Sequence, residues 1–313
     1  MGSEGEANRS VGTYFILVGF RVSSELQIFL FLAFLVAYCL VLVGNVGMIA
    51  VIQRDLRLHT PMYFFLQNLS FTDLSYTSAI TPKALASFWE QGKSISFAGC
   101  AAQFFLFTTF IVTEGFVLTA MAYDRLIAIC SPLLYSSRMS QSLRIRLVAG
   151  SYACGCISST LQSTMTFSVT FCASRVIEHF YCDVQPLLRI TCSDTSVQEA
   201  MSFVLSAVII LPTVLVILGS YIFIGSAILK IHSSEGRKKA ISTCGSHLGV
   251  VSLLYGTVAF VYLTPPSSPE CRKVAAMCYT LITPMLNPMI YSLRNKDVKE
   301  ALRRILGKNM ASL

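Results

Sequence analysis

The stretch MAYDRLIAIC, residues 121–130, places an aspartate beside an arginine at the end of a long apolar run. The run, residues 104–122, contains a single ionisable side chain, Glu114. A helix rises about 1.5 Å per residue, so the run is long enough to cross about 30 Å of hydrocarbon. The adjacent charges of Asp124 and Arg125 therefore predict the point at which a transmembrane helix reaches water.

Composition extends this interpretation to the whole chain. Of the 313 residues, 54% are hydrophobic and 13% are charged, whereas soluble domains carry about 25% charged residues. The hydropathy pattern predicts an all-α membrane protein: a seven-transmembrane helix bundle over 26–293, an extracellular tail over 1–25, and a cytoplasmic tail over 294–313 that contains a short amphipathic helix. The predicted transmembrane helices are 26–52, 60–88, 97–130, 143–167, 197–231, 238–263 and 274–293.

Basic residues predict the orientation of the bundle. With the N-terminus outside, 16 of the 24 Lys and Arg residues lie on the cytoplasmic side and 8 lie outside, an asymmetry typical of membrane proteins. The net charge of +8 is therefore a topology signal and gives no support for nucleic-acid binding. The N-terminus carries Glu4 and Glu6 and no basic segment, so we expect no cleaved signal peptide. Asn8 begins a glycosylation sequon on the predicted outer side.

Five cysteines lie on the predicted outer side, and four of them belong to helix three and the loop after helix four. Cys100 is near the start of helix three, and Cys172, Cys182 and Cys192 are in the loop after helix four. An oxidising compartment favours two disulfides among them. The residues alone leave three pairings open, and Cys271 in the last outer loop is left over.

Two carboxylates, Asp73 and Glu114, lie well inside predicted helices, where charges are expensive and usually functional. Both must face the interior of the bundle. One interpretation is that they bind a cation such as Na⁺ together with water. The other is that they share a proton, or hydrogen bonds with Asn45, Ser70 and Asn287.

Helix seven contains the stretch PMLNPMIY at 284–291. Pro288 removes a backbone donor and predicts a kink, and Asn287 and Tyr291 offer polar groups beside it. Further on, Val298 and Leu302 share one face of a segment whose other face is cationic. This pattern indicates a helix that lies on the inner leaflet of the membrane.

The sequence contains no evident nucleophile–base pair or phosphate-binding loop, and its four histidines are scattered. His247, near the inner end of helix six, is interpreted as a structural hydrogen-bond group. We therefore expect no enzyme activity. A transporter that uses Asp73 and Glu114 is an alternative, but it should show an internal repeat with interrupted helices, and none is apparent.

The motifs taken together resemble those of odorant receptors, which are rhodopsin-like seven-helix G-protein-coupled receptors. The resemblance runs from the first helix to the tail, and all of the motifs occur in order, which makes it specific. The matching stretches are GN at 44–45, LHTPMYFFLQNLSFTDL at 58–74, MAYDRLIAIC at 121–130, HFYCD at 179–183, KAISTCGSHL at 239–248 and NPMIYSLRNKDVKEAL at 287–302.

The resemblance implies a fold, partners and residue roles. It implies a Cys100–Cys182 disulfide and a local Cys172–Cys192 disulfide, and it favours Asp73 and Glu114 as a cation-linked pair. It implies a small volatile ligand, coupling to a stimulatory G protein of the olfactory type that raises cyclic AMP, and a multi-pass place in the plasma membrane. No cofactor is expected apart from a structural Na⁺. The residues expected to form the activation switch are Asp124, Arg125, Tyr221, His247, Asn287, Pro288 and Tyr291.

Within the switch, we expect Asp124 to neutralise Arg125 and to hold it away from the G protein in the inactive receptor. One departure from the family is visible at this point. Odorant receptors usually carry Tyr after the Asp-Arg pair, whereas this chain carries Leu126. This departure bears on how efficiently the receptor couples to its G protein, and not on the family to which the chain is assigned.

The ligand cavity is expected in the outer half of the bundle. Phe107 lies eighteen positions before Arg125, which is five helical turns and about 27 Å further out on the same face. The lining is mostly apolar with a few hydroxyls, so it predicts a small neutral volatile. The same chemistry would serve a receptor of this family that acts outside the nose. The neighbours of Phe107 by helical spacing are Phe104, Thr108, Ile111 and Val112. The resemblance to the family implies further lining residues on the other helices: Leu205, Ser206, Ile209, Tyr255, Val258, Tyr262, Met277 and Thr280.

Overall fold

A computed structural model describes residues 14–89, 92–171, 174–230, 232–263, 269–294 and 296–311. Within these residues seven long helices form one bundle, which confirms the predicted fold class. The seventh helix is continuous but has three segments, and a further helix follows it. The helices are α1 (Ser24–Arg54), α2 (Pro61–Ala86), α3 (Phe97–Cys130), α4 (Gln141–Phe167), α5 (Ser196–Leu229), α6 (Ser234–Leu263), α7 (Pro269–Met277, Cys278–Ile282 and Thr283–Arg294) and α8 (Lys296–Ala311).

The helices begin where the sequence supplies caps. Ser96 accepts a hydrogen bond from the Gly99 amide at the start of α3 (3.0 Å), and Ser140 accepts one from Leu143 at the start of α4 (3.3 Å). α2 begins with Pro61, a residue suited to the first helical position. Several helices start before the predicted apolar segments, because hydropathy marks the part of a helix in lipid while its hydrogen bonds continue into water.

The middle of α7 is a π-helical turn, Cys278–Ile282, and its inner segment contains Pro288. Pro288 has no amide proton, so the Pro284 carbonyl lacks its usual helical donor. The Asn45 side chain of α1 donates to that carbonyl (3.0 Å). Gly44 permits this approach, because a Cβ at that position would lie 2.9 Å from Cγ of Pro288.

Five of the described helices are long and apolar enough to cross a membrane by length and composition: Ser24–Arg54, Phe97–Cys130, Ser196–Leu229, and the described parts Ser234–Val261 and Glu270–Tyr291. Large apolar side chains are exposed along α1 and α5, such as Phe29 and Val43 on the first and Leu215 and Ile222 on the second. A belt of this kind is too apolar for water and is suited to contact with lipid.

A small sheet and a disulfide cover the outer end of the bundle. Strand β1 (Tyr14–Leu17) pairs antiparallel with β2 (Ser94–Ser96) and parallel with β3 (Val176–Ile177). Hydropathy did not predict this sheet, because strands of two to four residues leave no readable period. The predicted Cys100–Cys182 disulfide is confirmed, with an S–S distance of 2.00 Å. The predicted glycosylation of Asn8 and the predicted Cys172–Cys192 disulfide each involve a residue, Asn8 or Cys172, that lies outside the described residues.

The tail helix α8 packs along the inner ends of the bundle. Val298 is buried against the bundle, while Leu302, on the same predicted face, is exposed. Arg304 forms an ion pair with Asp55 in the turn after α1 (3.1 Å). The helix is therefore attached to the bundle by an apolar contact and an ion pair.

Candidate functional site

A cavity of about 110 Å³ lies in the outer half of the bundle between α3, α5 and α6. Ten of the thirteen residues expected to bind the ligand surround it. These ten are Phe104, Phe107, Thr108, Ile111, Val112, Leu205, Ser206, Ile209, Tyr255 and Val258. Helical spacing placed the five α3 residues of this group, and the resemblance to the family placed the five on α5 and α6.

Three expected residues stand apart. Met277 and Thr280 do not line the cavity, and the side chain of Tyr262 lies outside the described residues. The Thr280 hydroxyl donates to the Ala276 carbonyl (2.8 Å). For Thr280 the physical reason is the π turn Cys278–Ile282 of α7, which adds a residue to the turn and so changes which side chains face inward. Tyr279 lines the cavity instead.

Seven lining residues were not predicted: Gly115, Gln162, Asp183, Ile210, Thr213, Leu254 and Tyr279. Gly115 and Thr213 lie one turn beyond Ile111 and Ile209, so i,i+4 spacing could have identified them. The Tyr255 hydroxyl donates a hydrogen bond to the Gly115 carbonyl (3.4 Å). Glycine allows this close contact, because a Cβ at position 115 would lie 3.2 Å from the Tyr255 hydroxyl oxygen.

The roof of the cavity comes from the outer loop. Tyr181 of the loop and Tyr279 of α7 share a hydrogen bond between their hydroxyls (2.6 Å), and both rings pack against Phe107. Asp183 also lines the cavity, and its carboxylate accepts from the Val184 amide (2.8 Å). The disulfide at Cys182 holds this loop over the bundle. No spacing rule predicts Asp183, because it reaches the cavity through a loop.

The polar core lies below the cavity and consists of Asp73, Glu114 and Asn287, together with Asn45. Asp73 and Glu114 have no exposed surface. The Asn287 amide donates to Asp73 (2.9 Å) and Glu114 (3.5 Å). Three buried oxygens have no hydrogen-bond partner within the described chain: Oε2 of Glu114 and the amide oxygens of Asn287 and Asn45. Oxygen atoms of this kind, beside two carboxylates, are the ligands that a hard cation would take together with water.

At the inner end of α3 the charges of Asp124 and Arg125 act on each other, as expected, although no ion pair joins them within the described residues. Asp124 also accepts a hydrogen bond from Tyr135 of the inner loop (2.9 Å). Successive residues on a helix point about 100° apart and do not face each other. Arg125 is buried, and its Nε has no hydrogen-bond partner in the described part of the chain.

Near Arg125 a hydrogen-bonded chain joins three helices. The Tyr221 hydroxyl of α5 lies 2.7 Å from Nδ1 of His247 on α6, and Nε2 of His247 lies 3.1 Å from the Leu118 carbonyl of α3. The Tyr291 hydroxyl is buried and has no partner among the described residues. The inner half of the bundle thus contains both a satisfied chain and unpaired groups that a rearrangement could satisfy.

Comparison with known proteins agrees with this geometry. A model of the olfactory receptor family matches residues 34–309. The chain belongs to the olfactory receptor family. Olfactory receptor 9K2 of Homo sapiens is 63% identical to it over 98% of this chain and 92% of that protein. Olfactory receptor 5AR1 of Mus musculus is 52% identical over 96% and 98%.

The fold of this olfactory receptor is that of rhodopsin. It matches the crystal structure of squid rhodopsin with a TM-score of 0.67 and 18% identity, over 93% of this chain and 88% of that one. Membership of the family makes it a multi-pass receptor of the plasma membrane, which takes a small ligand and a G protein as partners and is not an enzyme.

Proposed function

We propose that this olfactory receptor binds a small, neutral, mostly apolar volatile in the cavity beneath Tyr181 and Tyr279, and that binding activates a stimulatory G protein of the olfactory type and raises cyclic AMP. The observation that carries the proposal is the lining of the cavity. Most of it is aliphatic or aromatic, and its volume of about 110 Å³ suits only a small molecule.

Hydroxyl groups in the wall would orient the ligand. Those of Thr108 and Ser206 have no hydrogen-bond partner within the described residues. A ligand with one or two oxygen functions could supply that partner, while the rest of the ligand packs against residues such as Ile111 and Ile209. Polar groups that are left for the ligand give orientation, and apolar surface gives most of the affinity.

The one charged group in the lining, Asp183, does not make an amine the better ligand. Its carboxylate accepts a backbone hydrogen bond from Val184 and interacts with the positive charge of Arg272. A cationic ligand would have to compete with that guanidinium. A neutral ligand leaves the interaction intact.

Activation would pass from the cavity to the inner end through α6. Tyr255 and Val258 line the cavity, and His247 of the same helix is bonded to Tyr221 and α3 further in. A ligand that contacts α6 differently in two states would shift the receptor between them. With the C-terminus cytoplasmic, Arg125 and Tyr291 would meet the G protein on the side where the basic residues accumulate.

We also propose that the polar core binds Na⁺. The two carboxylates would hold the ion, and the unpaired oxygens of Asn287 and Asn45 would hold it directly or through water. The test is thermal unfolding of purified receptor in NaCl against N-methylglucamine chloride at equal ionic strength. We expect NaCl to raise the unfolding midpoint of wild type and not of Asp73→Asn. Equal midpoints in the two salts for wild type would show that the carboxylates share a proton instead.

A panel screen tests the receptor function. Cells expressing the tagged receptor are given neutral, amine and carboxylic-acid odorants, and cyclic AMP is read together with surface amount and odorant uptake. We expect neutral agonists to raise cyclic AMP without uptake, and Arg125→Ala to abolish the response at unchanged surface amount. A response only to amines would refute the ligand class, and a normal response of Arg125→Ala would refute the switch.

A further inference from the structure

A second cavity lies outside the first, at the mouth of the bundle. Its volume is about 450 Å³, and its lining includes the outer loop, the start of α7 and the segment after β1. Asp183 and Tyr279 line both cavities. The two spaces therefore adjoin at these residues, and the hydrogen-bonded pair of Tyr181 and Tyr279 lies where they meet.

The charges of this outer cavity differ from those of the inner one. Three guanidinium groups and two carboxylates line it, so the lining has one positive charge in excess. Arg21 is paired with Glu178 (2.6 Å), and Arg272 interacts with Asp183. Arg189 is the third guanidinium; no carboxylate forms an ion pair with it in the part of the chain that the structure describes.

Arg189 and Arg272 are close enough for each charge to act on the other. Arg272 is held in place by a hydrogen bond from its Nη1 to the Gln185 side chain (2.6 Å). Two like charges that face one space repel each other until an anion occupies it. Guanidinium groups bind planar carboxylates particularly well, because two parallel N–H groups match the two oxygens.

A buried histidine supplies a second and independent observation. His179 lines the cavity and is 5% exposed, and its Nδ1 has no hydrogen-bond partner among the described residues. Burial, with a smaller contribution from the charge of Lys273, lowers the pKa of His179 to about 3. The ring is therefore neutral at pH 7, and the tautomer with the proton on Nδ1 could donate into the cavity.

We propose that the outer cavity is a binding site for a small organic monocarboxylate, held by Arg189 and Arg272 with His179 as a further donor. The single excess charge matches a monoanion, whereas a phosphate dianion would leave one negative charge uncompensated. Val176, Ile190 and Val261 give the same cavity apolar walls. These walls would take the hydrocarbon part of the anion, which an inorganic ion lacks.

A carboxylate in this place would also affect the inner cavity, a consequence that rests on the proposed function. Because Asp183 and Tyr279 border both spaces, an occupant of the outer cavity would narrow the route by which an odorant leaves. A narrower route slows both the entry and the exit of an odorant, so the expected effect is on the rate of odorant release.

Binding is tested without any odorant. Purified receptor in phosphatidylcholine nanodiscs is titrated with hexanoate and with hexanamide, which has the same length and no charge, and the thermal unfolding midpoint is measured. We expect hexanoate to raise the midpoint of wild type and hexanamide to leave it unchanged. The exposed Arg189→Gln should weaken hexanoate binding about tenfold, since a charge-assisted hydrogen bond is lost.

Two matched variants locate the site. Arg175→Gln removes an exposed guanidinium of the same loop that packs over the Tyr14 ring and does not line the cavity, and it should bind hexanoate like wild type. Ile209→Phe fills the inner cavity and should also bind hexanoate normally. The proposal is overturned if hexanamide acts like hexanoate, if Arg189→Gln binds normally, if Arg175→Gln loses as much affinity, or if Ile209→Phe abolishes binding.

The coupling has a separate readout. For any neutral agonist found in the screen, hexanoate should slow the decay of the cyclic AMP signal after agonist washout in wild type and not in Arg189→Gln. An unchanged decay with intact hexanoate binding would overturn the coupling alone. Failure to find any agonist would bear on the proposed function, and the nanodisc result would stand.

Discussion

The inner cavity and the polar core lie one above the other along α3, and their polar groups differ in kind. In the core, the amide of Asn287 links the carboxylates of Asp73 and Glu114, while Oε2 of Glu114 and the amide oxygens of Asn287 and Asn45 have no partner among the described residues. In the cavity, the uncharged hydroxyls of Thr108 and Ser206 have no partner in the described chain. The difference teaches that one helix can border a site for a neutral ligand, where single hydroxyls lie among apolar residues, and a core in which an amide links two buried carboxylates.

The largest effect is expected from breaking the polar core. Asn287→Leu removes the amide that donates to both carboxylates and leaves them buried without that donor, which should destabilise the fold by about 3 kcal/mol. The measurement is the thermal unfolding midpoint of purified receptor, with surface amount in cells as a second readout.

The matched control is Asn68→Leu, whose amide donates only to the Phe64 carbonyl of its own helix (2.8 Å). Asn68→Leu should lower the stability of the fold much less than Asn287→Leu does. If the two variants lost equal stability, the amide of the core would matter no more than a half-buried amide elsewhere in the bundle, and the comparison with the cavity would fail.

A second prediction concerns the contact between α3 and α4 at Gly155. A Cβ at Gly155 would lie 2.4 Å from the Thr113 hydroxyl and 2.5 Å from the Thr109 carbonyl. Gly155→Ala should therefore push α4 away from α3 and lower stability by about 2 kcal/mol, as overpacking does. Thermal unfolding of the purified variant measures the loss.

Gly150, five residues earlier on α4, has nothing within 4 Å of the same added atom. Gly150→Ala should be neutral or stabilising by up to about 1 kcal/mol, since Ala favours a helix more than Gly does. A loss of stability in both variants would mean that helix-wide effects, rather than the contact with α3, decide the result.

The third prediction concerns His179 of the outer loop above the cavity and uses the pH dependence of stability. Burial keeps His179 neutral down to a pKa of about 3, while the unfolded chain takes up a proton below about 6.5. The unfolded state therefore binds more protons as pH falls, and wild type should lose about 1 kcal/mol of stability between pH 7 and 5.5 that His179→Gln does not lose. Unfolding midpoints at the two pH values measure the difference.

The exposed His59 provides the control. His59→Gln should keep the pH dependence of wild type. If the full pH dependence of stability persisted in His179→Gln, His179 would not be held neutral by its surroundings.

The smallest effect is expected in the cavity itself. Ile209→Ala enlarges the apolar space, so within a homologous series of agonists the preference should move to longer members. Each added carbon should gain about fourfold in potency relative to wild type, which corresponds to about 0.8 kcal/mol. Cyclic AMP dose–response curves measure the shift.

Ile222→Ala changes the same residue type on the same helix at a position that is 69% exposed and away from the cavity. It should leave the preference unchanged. If both variants moved the preference alike, the potency would follow helix stability and not the shape of the cavity.

Much of the site was predictable because it follows helical periodicity. Phe107, Thr108 and Ile111 share one face of α3 by spacing alone, while Leu205 and Ile209 of α5 came from the resemblance to the family. The resemblance also suggested Thr280, which does not line the cavity, because the π turn Cys278–Ile282 changes the helical period and Tyr279 lines the cavity instead. Asp124 and Arg125 interact electrostatically but form no ion pair among the described residues, because successive side chains on a helix do not face each other.

By itself, the sequence determined the features that depend on local pattern. Apolar length set the spans, ordered motifs identified the family and implied the Cys100–Cys182 bridge, and helical spacing placed the α3 side of the cavity wall. Only the tertiary structure decided what meets across segments: Asp183 over the cavity, Tyr135 on Asp124, Asn45 on the carbonyl that Pro288 leaves unpaired, and Arg189 beside Arg272. The physical reason is that periodicity encodes which face a residue occupies, whereas loops and helix packing decide what that face contacts.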